Sequence, residues 1–295
     1  MRAEGLGPAV QRELLIQELK RLRLGTRETQ EQVAKAREWS VSKFTRIENG
    51  NSPISKSDLE GLLRYYGVAD QGRIDELVAL AKGAREPGWW TEFYHGDDKA
   101  FEAYLGWEDG ASSIRMFQGL AIPGLLQTEA YMRALMAAYN LKPEAIEEGV
   151  DLRLERQRRI AKRAPHQIYL LDETIIRRPI GDVMPGQLTH LLKVAEKSSV
   201  TIRIIPYLEG MHFGLKGSFV LLGFEDLLDD VLYLEGARRG DLLIGEREAI
   251  GPGAPDAEHL GSELAMYQDG FNDLLEIALE PDASMQLIRE HLRYQ

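Results

Sequence analysis

The stretch TQEQVAKAREWSVSKFTRIENG, residues 29–50, decides how the first part of the chain folds. Thr29 stands where a helix N-cap would, and Gln32 follows three residues later, which is the spacing of a capping box. This pattern predicts a short helix that begins directly after Thr29. Ser40 can cap a further helix over residues 41–49. The stretch therefore predicts two short helices joined by a tight turn.

The side chains of these two helices divide into an inner and an outer set. Those predicted to face inward are Val33, Ala34, Phe44 and Ile47. Those predicted to face outward on the second helix are Val41, Ser42, Thr45 and Arg46. A helix pair whose second member carries small polar and basic residues outward can lay that helix in the major groove of DNA. The pattern thus favours a DNA-binding module.

Apolar periodicity adds one helix before this stretch and one after it. The first helix carries leucines on one face, runs to about Leu24 and is ended by Gly25. A fourth helix begins after Ser55 and is ended by Gly67. Residues 1–69 are accordingly predicted to form an all-α domain. We expect a linker helix over residues 70–88, where glycine and proline interrupt the helical pattern.

Residues 8–68 resemble the helix-turn-helix of the XRE, Cro and phage-repressor class, carried by residues 29–34 and 39–50. The resemblance implies a lambda-repressor-like domain. It implies that Gln30 grips a backbone phosphate and braces the recognition helix, and that Arg46 reads a base edge. The implied DNA-binding residues are Gln30, Ser40, Val41, Ser42, Lys43, Thr45, Arg46, Asn49 and Asn51.

One departure from this family lies in the turn, where Arg37 and Glu38 replace the usual leucine-glycine pair. A residue other than glycine in a left-handed turn costs about 1 kcal/mol, which the core can absorb. Glu48 is predicted to be structural, because DNA repels an anion that is not held within the module. The alternative is that the helix-turn-helix serves only to dock another protein.

Residues 89–295 are predicted to form a larger mixed α/β domain, with a small sheet covered by helices. The predicted strands are 167–171, 201–205, 218–224 and 231–235, with a helix over 184–197 completing a βαβ unit. Further helices are expected over 128–139, 143–163, 258–279 and 283–294. Residues 238–253 are expected to form a loop. The aromatic cluster from Trp89 to Trp107 is expected to be core rather than a ligand cage.

The arginines of the predicted helix 143–163 alternate with acidic residues, which indicates a solvated, ion-paired face rather than a second nucleic-acid patch.

The strings 118–131, 155–157 and 200–206 resemble the C-terminal domain of a large actinobacterial regulator family. Its members pair an XRE-type helix-turn-helix with this domain and are described as WhiJ-like or antitoxin-like transcriptional regulators. The resemblance implies a small partner protein encoded by an adjacent gene. It also implies a role in development or antibiotic production, but no particular chemistry.

The charge of the chain is unevenly distributed. The 295 residues contain 36 Lys and Arg against 47 Asp and Glu, a net charge of −11. Residues 1–70 hold 12 basic and 10 acidic residues, so they carry +2 and the remainder carries −13. A local basic face on the N-terminal module is therefore compatible with DNA binding. The acidic remainder favours a cationic partner.

Composition and motifs argue against several other classes of protein. There is no cysteine, no apolar run near the roughly 20 residues of a membrane span, and no signal-peptide pattern. We therefore expect a cytoplasmic, nucleoid-associated protein that does not interact with membranes. No cofactor is expected, because neither a dinucleotide fingerprint nor a P-loop occurs. No metal is expected either, since the six histidines lack the spacing of metal ligands.

His212 is the one enzymatic candidate, through a faint likeness to phospholipase-D-type nucleases and their HxKxxxxD motif. Gly214 stands where that motif needs its lysine, and Val220 or Leu221 falls where the acid is needed. A histidine nucleophile without these partners is poorly activated. We expect no enzyme, and His212 is predicted to be a loop residue beside a pocket.

The leading hypothesis is a sequence-specific transcriptional regulator that binds double-stranded DNA as a homodimer on inverted repeats. Its C-terminal domain would respond to a small protein or a small-molecule effector. The alternative is an antitoxin-like protein that mainly sequesters a small basic partner and binds DNA for autoregulation. A degenerate nuclease is the least favoured hypothesis.

Overall fold

The computed structural model describes residues 6–139, 141–225, 228–236, 239–245, 248–250 and 259–293. The chain divides into two compact units, residues 1–88 and residues 89–295. Within the described ranges, no helix combines the length and the apolar character that crossing a membrane requires.

The first unit is built of helices around one apolar core. They are α1 (Pro8–Thr26), α2 (Gln30–Ala36), α3 (Val41–Glu48), α4 (Lys56–Tyr65) and α5 (Gln71–Gly83). Fully buried side chains come from successive helices, among them Val10 of α1, Val33 of α2 and Leu59 of α4. The predicted helical N-terminal domain is confirmed.

The caps of the two central helices follow the predicted pattern. The Gln32 N–H donates to Thr29 Oγ1 at 3.2 Å, and the Thr29 N–H donates to Gln32 Oε1 at 2.8 Å. These two bonds form the reciprocal capping box of α2. Ser40 accepts the Lys43 N–H at 3.1 Å and so caps α3. Both helices begin where the sequence predicts, because their caps are purely local.

Helix α1 ends later than the sequence predicts. Gly25 stays within the helix, which continues to Thr26. Arg27 then adopts a left-handed conformation with φ of 62°, and its N–H donates to the Leu24 carbonyl at 3.1 Å. Thr26 also donates its hydroxyl to the Arg23 carbonyl at 2.7 Å. These bonds satisfy carbonyls of the last turn, so the helix does not need a glycine to end.

The turn between α2 and α3 is strained, as its sequence predicts. Glu38 has a φ of 55°, in the left-handed region where a side chain is disfavoured. The Trp39 N–H reaches back to the Ala34 carbonyl at 2.8 Å and closes the turn. The bond and the buried faces of the two flanking helices hold Glu38 in this conformation.

The predicted linker helix over residues 70–88 belongs to the first unit. Asp70 caps α5, and Ile74, Leu77 and Leu80 of this helix are buried. Helix α5 packs against α1 and α4. Residues 71–83 are therefore part of the first core rather than a connector, because their apolar stripe is covered by the other helices of the bundle.

The second unit contains one mixed sheet in the order β3-β2-β1-β4-β5-β6-β7. Its strands are β1 (Ser113–Gln118), β2 (His166–Asp172), β3 (Val200–Ile205), β4 (Phe219–Gly223), β5 (Val231–Leu234), β6 (Asp241–Ile244) and β7 (Glu248–Ile250). The β1–β2 and β2–β3 pairs are parallel. The β1–β4, β4–β5, β5–β6 and β6–β7 pairs are antiparallel. The predicted mixed α/β domain is confirmed.

Helices cover both faces of this sheet. They are α6 (Lys99–Glu108), α7 (Glu129–Ala138), α8 (Pro143–Arg163), α9 (Glu173–Arg177), α10 (Met184–Val194), α11 (Leu260–Ile277) and α12 (Pro281–Leu292). Leu232 of β5 packs in a core cluster with Phe271 of α11. The neighbouring Tyr233 stacks on Tyr104 of α6, with ring centroids 4.5 Å apart. Because successive strand residues point to opposite faces, α6 and α11 lie on opposite sides of the sheet.

Two expectations about the sheet are wrong. The sheet has more strands than the four predicted, since β1, β6 and β7 are also present. Residues 241–244 and 248–250 are strands, although residues 238–253 were expected to form a loop. These segments are too short to show alternation in the sequence, and they become strands by pairing with β5 and with each other. Of that expected loop, residues 238, 246–247 and 251–253 lie outside the described residues.

The arginine-rich helix α8 also differs from expectation. Arg156 is buried, and its guanidinium bonds to both carboxylate oxygens of Glu108 at 2.7 and 2.9 Å. Arg159 binds Asp109 at 2.9 Å. Arg163 donates to backbone carbonyls of residues 108, 109 and 111. One arginine face of α8 therefore packs on the end of α6, and only the opposite side is the solvated face that the charge pattern predicts.

Candidate nucleic-acid interface

Helices α2 and α3 hold each other through apolar contacts. Val33 and Ala34 of α2 are buried, and so are Phe44 and Ile47 of α3. The opposite side of α3 carries Val41, Ser42 and Arg46, all of them exposed. Because residues one helical turn apart share a face, Ser42 and Arg46 lie one above the other on this outer side. The helix thus has a buried face that fixes it and an outer face open to a ligand.

A buried polar network locks α3 in place. Glu48 is only 1% exposed, and its two oxygens accept bonds from Arg23 at 2.7 and 3.1 Å. Gln30 donates its amide to the same carboxylate at 2.5 Å. Thr45 in turn donates its hydroxyl to Gln30 Oε1 at 2.9 Å. The hydrogen bonds with Glu48 raise the pKa of Arg23.

This network contains two predicted site residues, Gln30 and Thr45, and the acid Glu48, which was predicted to be structural. Gln30 is the first residue of α2 and braces α3 through both ends of its amide. Thr45 faces Gln30 with its hydroxyl rather than being free on the outer face. Glu48 is structural, as its sequence position suggests, and its charge is matched by Arg23.

Lys43 lies at the edge of the outer face and is held by two neighbours. Its Nζ is 3.0 Å from Asp58 of α4 and 4.2 Å from the centre of the Trp39 ring. The side chain is 40% exposed. A lysine oriented by an acid and an aromatic ring keeps a defined direction, so its charge is positioned before any partner arrives.

The remaining predicted residues lie at the two ends of α3. Ser40 is exposed, and its hydroxyl already serves as the N-cap. Asn49 is the C-cap residue and is exposed. Asn51 is exposed in the following loop, where its N–H donates to the Arg46 carbonyl at 2.8 Å. The nine residues thus gather around one helix, six of them exposed, although Gln30, Lys43 and Thr45 are partly engaged within the module.

Sequence reasoning missed the partners that hold this surface. No sequence motif singles out Arg23, yet it is the counter-ion of Glu48. The ion pair of Lys43 with Asp58 and its contact with Trp39 were missed too. Only the Trp39–Lys43 contact had a signal, because the two residues are four apart along the chain. The others join residues from different helices, which a local pattern does not reveal.

The second unit brings His212 beside an acid that its sequence neighbourhood lacks. His212 Nε2 lies 3.4 Å from Asp172 Oδ2, whereas Lys216 extends over the Phe213 ring, with Nζ 5.8 Å from its centre. In the part of the chain that the structure describes, no group of three or more histidine or acidic side chains is arranged to hold a metal ion.

The geometry of α2 and α3 is that of a helix-turn-helix protein. Residues 15–77 match the family described as helix-turn-helix domain, and this range extends through most of α5. Residues 101–251 match a second family, described as domain of unknown function (DUF5753). This match spans half of the chain, and the chain belongs to the DUF5753 family. No curated protein and no solved structure matches the chain significantly.

Proposed function

We propose that this protein is a sequence-specific, DNA-binding transcriptional regulator of the XRE type, with a lambda-repressor-like N-terminal domain. The observation that carries the proposal is helix α3, whose buried side is fixed by the Glu48 network while Ser42 and Arg46 remain exposed on its outer side. In the described structure, the Arg46 side chain has no ion-pair partner. An arginine so placed can bind guanine through two hydrogen bonds.

The regulator would act as a homodimer on an inverted repeat. Helix α3 spans only eight residues, so one copy reads few base pairs, and two half-sites about one DNA turn apart multiply the specificity. Sedimentation of the purified protein, alone and with a duplex carrying both half-sites, measures this stoichiometry. A single copy on each duplex would contradict the dimer.

The test of DNA binding is footprinting on the region upstream of the gene, with affinity measured at several salt concentrations. We expect Arg46→Ala to weaken binding by about tenfold or more and to relax base preference at one position of each half-site. Arg64→Ala is the matched control, because Arg64 is an exposed arginine of α4 outside the predicted site. Binding that is insensitive to salt, or equal in both variants, would refute the proposal.

A second candidate function rests on the charge of the second unit. Residues 89–295 carry 21 basic and 34 acidic residues, a net charge of −13. Such a surface favours a small basic protein, as in the WhiJ-like and antitoxin-like regulators of actinobacteria that the sequence resembles. In this role the chain sequesters its partner and binds DNA for autoregulation. Co-expression with the product of the adjacent small gene tests it: a salt-sensitive complex supports the role, and separate elution contradicts it.

A further inference from the structure

A cleft lies at the carboxyl ends of the three parallel strands of the second unit. Gly119 follows β1, Asp172 is the last residue of β2 and Pro206 follows β3, and all three line this cleft. Its volume is about 620 Å³. In α/β sheets, ligands bind outside the carboxyl ends of the strands, in pockets of roughly 300–1,000 Å³. Both place and size are those of a small-molecule site.

The polar centre of the cleft is the pair Asp172 and His212. Thr174 donates its N–H and its hydroxyl to Asp172 Oδ1, at 2.8 and 2.5 Å, and so fixes the carboxylate. The Gly214 N–H donates to His212 Nδ1 at 3.2 Å, so Nδ1 is an acceptor and Nε2 carries the ring proton. This proton faces Asp172 Oδ2 across 3.4 Å. Among the described residues, His212 is the only polar partner of Oδ2, and the contact is long, so Oδ2 can accept a further donor.

The walls of the cleft are apolar and partly exposed to solvent. Phe117 is buried, with its ring centre 5.9 Å from that of His212. Tyr207, Leu215 and Leu120 also line the cleft and are 67%, 66% and 69% exposed. Large apolar side chains grouped in this way on an otherwise charged surface mark a binding site. The apolar or aromatic part of a ligand would cover these three side chains.

The charge of the cleft selects the kind of ligand. No lysine or arginine is found among the described residues that line it. Arg178, beside it, donates to the Leu120 carbonyl at 2.9 Å. A phosphate or carboxylate ligand would therefore face the Asp172 carboxylate without a cation to bind it, whereas an ammonium group would be attracted.

We propose that this cleft binds a small organic amine, with its ammonium group on Asp172 Oδ2 and its apolar or aromatic body against Tyr207, Leu215 and Leu120. The segment 207–217 bears two of these side chains and contains two glycines with positive φ, Gly210 at 69° and Gly217 at 131°. An effector role for this cleft rests on the proposed function of the protein. The binding of an amine in the cleft does not depend on that function.

The test uses the purified full chain without DNA, so its failure is distinguishable from a failure to bind operators. Three probes of one shape are titrated calorimetrically: 4-phenylbutylamine, 4-phenylbutanol and 4-phenylbutyrate. We expect the amine to bind about tenfold or more tightly than the acid, with the alcohol between them. An acid that binds as tightly as the amine, or no binding of any probe at millimolar concentration, overturns the proposal.

Variants locate the site. Asp172→Asn keeps a helix N-cap residue at the start of α9, and it should weaken amine binding about tenfold while changing alcohol binding little. Asp182→Asn removes a negative charge at an exposed position that does not line the cleft, and it should change neither. The double variant of the exposed Tyr207 and Leu215 to alanine should weaken both amine and alcohol. Unchanged amine affinity in Asp172→Asn or in the double variant contradicts the assignment.

Discussion

The buried carboxylate of Glu48 connects three parts of the first unit. It receives Arg23 from α1 and Gln30 from α2, while Glu48 itself ends α3. A buried charge needs both a counter-ion and hydrogen bonds to offset the loss of water. One side chain thus determines how α3 is held, and removing it leaves the Arg23 guanidinium without its partner.

We therefore expect Glu48→Ala to lower the free energy of unfolding of the first unit by about 3 kcal/mol or more. Glu31→Ala is the control, since Glu31 is an exposed acid of α2 and its loss should change stability by less than about 0.5 kcal/mol. Urea denaturation followed at amide resonances of α1–α4 measures both. Equal stability of the two variants would show that the Glu48 network is not stabilising.

Glycines at two positions of the first unit should respond in opposite ways to alanine. Gly50 has a φ of 74°, and a Cβ there would lie 2.3 Å from Cδ1 of Ile16, a flexible end that must shift. Gly25 lies inside α1, and a Cβ there would have no neighbour within 4 Å.

Gly50→Ala should therefore destabilise the first unit by about 1–2 kcal/mol, from strained backbone and crowding together. Gly25→Ala should stabilise it by up to about 0.5 kcal/mol, because alanine favours helical backbone over glycine, although Gly25 lies in the last turn of α1. Thermal unfolding of the two variants and the wild type checks the opposite signs. A shift in the same direction for both would contradict the backbone assignments.

Sequence patterns correctly predicted those helix ends that are formed by local interactions. The caps at Thr29 and Ser40 involve residues three apart, so the starts of α2 and α3 are written in the sequence. Strands β6 and β7 were missed because their pairing, not their composition, makes them strands. The nine residues predicted to contact DNA follow from the resemblance and stay a prediction. The ion pair between Arg23 and Glu48 joins residues 25 positions apart, so no spacing rule predicts it.

Helix α8 shows how a charge pattern conceals burial. Arg156 is buried in a bidentate pair with Glu108, and the Tyr104 hydroxyl bonds to the same carboxylate. Arg158, two residues on, is 64% exposed and forms an ion pair with Glu155 on its own helix. The two arginines look alike in the sequence, but Arg156 is the counter-ion of a buried carboxylate, whereas Arg158 is exposed to solvent.

Arg156→Ala should accordingly destabilise the second unit by about 3–5 kcal/mol, because Glu108 would remain buried without its counter-ion. Arg158→Ala should cost no more than about 1 kcal/mol, as for other exposed pairs on one helix. Hydrogen exchange at the amides of α6 and β5 reports the difference. Similar protection in both variants would refute the distinction between the two faces of α8.

The contact between α1 and α5 should depend on pH. Hydrogen bonds from Arg21 and then Arg73 lower the pKa of Glu18 from 4.5 to about 2. A carboxyl whose pKa is depressed by folding stabilises the folded state above its unfolded pKa, and this contribution is lost as pH falls through its folded pKa. The window for Glu18 therefore lies between pH 4.5 and about 2.

We expect Glu18→Gln to be less stable than the wild type near neutral pH, with the difference shrinking as the pH falls through that window. Glu31→Gln, at an exposed position of α2, should show a small difference at every pH. Denaturant unfolding of the three proteins across the acid range tests this. A difference between Glu18→Gln and wild type that stays constant down to the lowest pH would contradict the assigned cause.

For the whole molecule, the net charge of −11 is the sum of two unlike parts. Residues 1–88 hold 15 basic and 13 acidic residues, a net of +2, and residues 89–295 carry −13. DNA attracts the first part and repels the second over distances of about a Debye length, roughly 8–10 Å at 0.10–0.15 M salt and longer when salt is lower. In the proposed regulator, the acidic part would therefore oppose non-specific binding to DNA, so that more of the binding would depend on base contacts.

The charge difference between the two parts should be measurable on a duplex that carries a single half-site, on which dimer formation contributes nothing. The fragment 1–88 has its own core and should fold alone, which its circular dichroism and cooperative melting would show. At low salt it should bind the half-site more tightly than the full chain does. The two affinities should converge as salt rises, because screening removes the repulsion of the acidic part. A gap that persists at high salt would mean that the second unit acts on DNA binding by contact rather than by charge.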